Sequence, residues 1–71
     1  MTREQLIALR KRLGLPQLVV ARMATIERSR FNLWERGHIN ISDAERDRIA
    51  HVLVQELDLI KAIPVPQAVA Q

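Results

Sequence analysis

The chain has two aromatic residues, Phe31 and Trp34, and they stand three positions apart. At about 100° per residue, a helix from Ile26 to Glu35 projects both rings from one side. Arg28, Ser29, Asn32, Leu33 and Arg36 fall on the other side. Aromatic rings carry much of the apolar area a small domain can bury, so the side holding Phe31 and Trp34 is expected to face inward. The outward side is then polar and basic, with one leucine in it. Any fold for this chain has to seat that helix on its aromatic face.

The flanking segments read as further helices. Thr2 and Gln5 form a capping-box pattern, and Leu6, Leu9 and Leu13 recur at helical spacing. A first helix is expected from Arg3 to Leu13, ending at Gly14, with Lys11 and Arg12 suiting the negative end of its dipole. Pro16 fits the first turn of a second helix to Ala24, since it has no N–H to lose there. That helix is so apolar (Leu18, Val19, Val20, Ala21, Met23, Ala24) that Val19 or Met23 is expected to be exposed or covered by a partner. Gly37 is the natural stop for the third helix. His38 to Ile41 is a short loop, and Ser42 with Glu45 gives a second capping box. The stripe Ile49, Val52, Leu53, Leu57, Ile60 and Ile63 then predicts either one long helix from Asp43 to Ile63 or two helices bent near Val54 to Glu56. No Gly or Pro intervenes before Pro64, and PVPQAVAQ cannot continue a helix, so residues 64–71 are expected to be a loose or extended tail. There is no internal repeat and no strand-like alternation. The fold class is all-α, with one domain over residues 1–63.

Seventy-one residues allow a single modest core. The chain has no cysteine, and His38 and His51 lack a nearby ligand set, so neither a disulfide nor a metal site is expected. No apolar run exceeds four residues and MTREQLIALRKR does not have the pattern of a signal peptide, which leads to an expected location in the cytoplasm of a bacterium or phage-infected cell, away from any membrane. The net charge of +3 is unevenly spread. Residues 1–36 hold eight basic side chains against three acidic ones, and residues 37–71 hold three against five. One basic surface for a polyanion and a second surface for something else is the simplest reading.

From Leu9 to Leu53 the chain resembles the Cro/CI-type (XRE-like) helix-turn-helix family of phage and bacterial repressors. The resemblance is carried by Leu9-Arg10, Leu13-Gly14-Leu15 with Gln17, Ala21, Ile26, Phe31 and Trp34-Glu35-Arg36-Gly37, followed by Asn40, Ser42, Ile49, Ala50 and Leu53. It implies a lambda-repressor-like domain of five helices, or four with a long last helix. It also implies that the helix 26–35 lies in a DNA major groove, that Gln17 meets a phosphate, and that Arg10 and Glu35 form a partly buried ion pair. The chain departs from the family pattern in three places. Thr25 stands at the usual glycine of the turn, so the turn either avoids a left-handed residue there or tolerates strain. Glu27 stands where a Ser or Thr usually caps the third helix, leaving Thr25 as a cap one turn earlier. Asp43, Arg46 and Asp47 replace apolar residues early in the last helix.

The expected function is therefore sequence-specific binding of double-stranded DNA by a transcriptional regulator, a repressor, with an inverted-repeat operator. Arg28, Ser29, Asn32 and Leu33 are the candidates for base readout: Arg28 for the guanine O6/N7 edge, the short polar groups for other edges, Leu33 for a thymine methyl. Gln17, Arg30, Arg36, His38 and Asn40 are the candidates for phosphate contacts, which fix register without reading sequence. Val54, Leu57, Ile60 and Ile63 are surplus to so small a core and are expected to form a homodimer interface. No catalytic constellation, glycine-rich phosphate loop, cofactor site or small-molecule site is expected. The alternative is a protein-binding module, antitoxin-like or an adaptor, acting through the apolar second helix and the C-terminal helix.

Overall fold

A computed structural model describes residues 1–62, which form four helices and no strand: α1 Arg3–Arg12, α2 Gln17–Met23, α3 Arg28–Glu35 and α4 Asp43–Ala62. Ile63 and the tail expected at 64–71 lie outside the described residues. α4 passes through Val54 to Glu56 without interruption, so the long helix forms and the bent alternative, with its fifth helix, does not. None of the described helices is long and apolar enough to cross a membrane.

Two helices begin on reciprocal caps. At α1 the Thr2 N–H donates to Gln5 Oε1 at 2.9 Å and the Gln5 N–H donates to Thr2 Oγ1 at 3.1 Å. At α4 the Ser42 N–H donates to Glu45 Oε1 at 2.9 Å and the Glu45 N–H to Ser42 Oγ at 3.1 Å. Each exchange satisfies two backbone donors that a helix start leaves open. α2 opens one residue later than expected. Pro16 keeps an extended backbone at φ −65°, ψ 152° and stands at the cap position.

α1, α2 and α3 all end the same way. The N–H of the residue after the cap returns to a carbonyl three residues back, and the next N–H returns five back. The pairs are Gly14 to Lys11 with Leu15 to Arg10, Thr25 to Arg22 with Ile26 to Ala21, and Gly37 to Trp34 with His38 to Leu33, all between 2.8 and 3.1 Å. This is the Schellman pattern, and it puts its pivot residue in the left-handed region. Gly14 and Gly37 take it at φ 72° and 79°, where glycine has no Cβ to clash. Thr25 takes it at φ 58°, and of the two expectations for this turn the strained one is what forms. A left-handed β-branched residue costs roughly 1–2 kcal/mol, which the closing bonds of α2 and burial of Ile26 offset.

That closure corrects the expected start of α3. The Ile26 N–H is used in ending α2, and Glu27 is extended at ψ 137°, so the first helical residue is Arg28 instead of Ile26. Thr25 does not cap α3, which begins without a side-chain cap bond.

The core joins Leu6 of α1, Val20, Ala21 and Ala24 of α2 and its end, Ile26 of the turn, Phe31 and Trp34 of α3, Ile41 of the loop, and Ile49, Val52 and Leu53 of α4. Phe31 and Trp34 meet edge to face, with ring centroids 5.6 Å apart and planes at 62°. That geometry places the positive edge of one ring on the negative face of the other. The buried part of α4 stops at Leu53. Nine further residues, about 13 Å of helix, extend past the core.

Candidate nucleic-acid interface

With Phe31 and Trp34 buried, α3 turns Arg28, Ser29 and Leu33 outward as exposed side chains and leaves Asn32 half-buried. Gln17, Arg28, Ser29 and Asn32 line one shallow depression where the start of α2 meets α3. Arg28 makes no ion pair among the described residues, so the depression carries a free guanidinium at its rim. The Ser29 hydroxyl donates to the Glu27 carboxylate.

Behind this face runs a chain of side-chain bonds. Asn32 Nδ2 donates to Gln17 Oε1 at 3.0 Å, and Gln17 Nε2 donates to Glu35 Oε1 at 2.7 Å. Glu35 also receives both edges of the Arg10 fork, Nη2 on Oε1 at 2.8 Å and Nε on Oε2 at 2.6 Å, while Arg10 Nη1 reaches the Leu15 carbonyl at 2.9 Å. The pair is nearly enclosed, with side-chain exposures of 11% for Arg10 and 6% for Glu35. It ties α1, the turn after α1, and α3 together. The network also fixes the Asn32 amide, because a carboxamide that donates inward presents its Oδ1 elsewhere.

Two of the expected phosphate-contacting side chains are placed differently from a freely extended group. Gln17 spends its carbonyl and one N–H inside the protein; its second N–H is what remains for an outside partner. Arg30, on the flank of α3, grips Glu45 with Nε on Oε2 and Nη2 on Oε1, both at 3.0 Å. Held by the Arg30 fork and by the Ser42 N–H, the Glu45 carboxyl sits at a pKa of about 2, well below the usual carboxylate range. Arg36, His38 and Asn40 are exposed at and just beyond the C-terminal end of α3.

The four residues expected to form a dimer face do not make one stripe. Val54 is exposed about 120° round α4 from Ile60. Leu57 is half-buried, and it and Ile60 line a groove with Leu9, Arg12 and Leu13 of α1 and its end. Ile63 lies outside the described residues. Leu59, which sequence periodicity leaves out of the stripe, is the most exposed large hydrophobic residue of α4 at 60% and borders a second groove with Met23.

Sequence reasoning missed three participants. Glu45 is legible as a cap but not as the partner of Arg30, fifteen residues away. Arg48 sits in a polar turn, yet its Nε donates to the Ala24 carbonyl at 2.7 Å and holds the end of α2. The Gln17–Asn32 bond has no local spacing signal either. All three are contacts between elements, visible only once the helices are placed.

No known protein family, curated protein or solved structure matches the chain.

Proposed function

We propose that the protein is a sequence-specific double-stranded DNA-binding transcriptional regulator of the Cro/CI-type helix-turn-helix kind, acting as a repressor. The observation that carries this reading is the construction of α3: Arg28, Ser29 and Leu33 exposed and Asn32 half-exposed, on a helix seated by two buried aromatics. α3 enters the major groove. Arg28 donates two hydrogen bonds to a guanine O6/N7 edge, a contact worth about 1–3 kcal/mol of discrimination. Asn32, oriented by Gln17, offers its amide to a neighbouring base, and Leu33 meets a thymine methyl. Arg36, His38 and Asn40 lie beside the backbone and set register.

The chain acts as a homodimer whose contact is the part of α4 beyond Leu53. A two-fold protein reads an inverted repeat, with half-sites about 10–10.5 bp apart or a multiple of that. A domain of this size represses by occupying DNA and excluding polymerase.

Selection of genomic fragments with purified protein, followed by binding to the best site with Arg28→Ala, tests the reading. An enriched inverted repeat that loses preference at one base pair in the variant supports it. Enrichment of unselected DNA, with the variant unchanged, overturns sequence-specific readout.

A second reading is favoured by the exposed Leu18, Val19 and Met23 of α2 and Leu59 of α4: a protein-binding module with the same architecture. Salt separates the two. DNA binding weakens steeply as salt rises, because condensed counterions are released, whereas an apolar protein interface is nearly indifferent to it.

A further inference from the structure

α3 is held at its two edges by the same chemical device in two different settings. On one edge Glu35 accepts the Arg10 fork, and both side chains are almost fully enclosed. On the other edge Glu45 accepts the Arg30 fork, but Arg30 is 46% exposed and Glu45 17% exposed. The enclosed pair cannot trade its carboxylate for another anion without leaving a buried charge unpartnered. The open pair can. A phosphodiester presents two oxygens to a guanidinium much as a carboxylate does, and arginine binds either one with parallel N–H donors.

We propose that Glu45 is an internal stand-in for a DNA phosphate: it occupies the Arg30 fork in the free protein and so limits how tightly the backbone is gripped. The inference rests on the reading of α3 as the DNA-facing helix and deepens it. Arg30 lies beside Leu33 on the flank of that helix, where a strand would pass as α3 enters the groove. While Glu45 holds it, Arg30 adds no net charge to the interface, and a phosphate has to displace the carboxylate to gain the contact. Non-specific affinity is therefore kept down, and a larger share of the binding energy comes from the base-reading side chains. Glu45 is a positioning residue in this scheme, acting through Arg30.

The position also permits a clean substitution. Glu45 is the third helical residue of α4 and closes a capping box with Ser42, and glutamine serves at that place as glutamate does. Glu45→Gln therefore keeps the cap and the fold while removing the charge that neutralises Arg30. The test measures binding of a random-sequence duplex against salt for the full chain and for Glu45→Gln, Arg30→Gln and the double variant. Expected for Glu45→Gln is about a threefold or greater gain at low salt, with the slope of log K against log salt steeper by about 0.9, the signature of one more neutralised phosphate. Adding Arg30→Gln should abolish both changes. A Glu45→Gln gain that survives in the Arg30→Gln background would reflect net charge alone and overturn the proposal. So would an unchanged slope in a chain that still binds its selected site, which leaves the DNA reading intact. Absence of duplex binding in every chain would overturn the reading and this inference together.

Discussion

Thr25 carries the clearest local conflict between residue type and backbone. Its φ of 58° is one that glycine adopts freely and a β-branched residue resists. Thr25→Gly should therefore stabilise the domain by about 1 kcal/mol, part of the strain relief being given back as extra freedom in the unfolded chain. For a domain of this length that is roughly a 4–8 °C rise in melting temperature, readable by calorimetry; a fall would show that the hydroxyl or the methyl contributes more than the strain costs. The Arg10–Glu35 pair predicts the opposite sign. Arg10→Met leaves the Glu35 carboxylate enclosed without its cation, and a loss of about 3–5 kcal/mol follows. Replacing Glu35 by Leu in the same chain should restore a good part of that loss in urea denaturation, since the penalty lies in the orphaned charge more than in the missing bond.

At the scale of elements, the start of α4 makes stability depend on pH. Glu45 has its carboxyl pKa lowered to about 2 in the folded chain, first by the Arg30 fork and next by the Ser42 N–H. Its folded value lies below its unfolded one, so its contribution is complete above about pH 4.5 and is lost as pH falls through about 2. Acid titrations of the wild type and Glu45→Gln should accordingly converge toward pH 2. The difference between them at neutral pH should shrink with added salt, because the pair is open to solvent. The elements themselves were largely written in local sequence. Thr2/Gln5, Ser42/Glu45, Gly14 and Gly37 are short-range signals with a fixed stereochemical meaning, and each lies at the helix end it announces. The start of α3 was less legible because Ile26 looks helical by periodicity, while its N–H is claimed by the closure of α2. The candidate site shows the same division. Which residues of α3 face outward follows from Phe31 and Trp34, but the partners of Gln17, Arg30 and Arg48 are 15 to 24 residues distant. No periodicity reports a contact that depends on how two helices are laid against each other.

For the whole molecule, the informative feature is how the core is distributed along the chain. Every buried residue among those described lies between Leu6 and Leu53. Leu59 and Ile60 are more than half exposed, beyond the last core position. Leu59→Glu with Ile60→Glu should therefore leave the melting transition of a dilute monomer nearly unchanged while dissociating any dimer in analytical ultracentrifugation. A chain that sediments as a dimer both before and after the double change would place the self-association surface elsewhere, and one that sediments as a monomer throughout would overturn the proposed homodimer.

The early end of the core also sets an order of events. A body completed by residue 53 and built from neighbouring helices has contacts of short sequence range, and such chains fold on the microsecond-to-millisecond scale. The outer turns of α4 hold no fully buried residue and add only the half-buried packing of Leu57 against α1. The proposed pairing of two chains through them would then be a separate, bimolecular event between bodies already formed, with a rate that rises with protein concentration while the folding rate does not. Under the proposed DNA-binding function, occupancy of a two-fold site would then respond more than proportionally to the amount of protein made. On that reading, a concentration threshold follows from where the core stops.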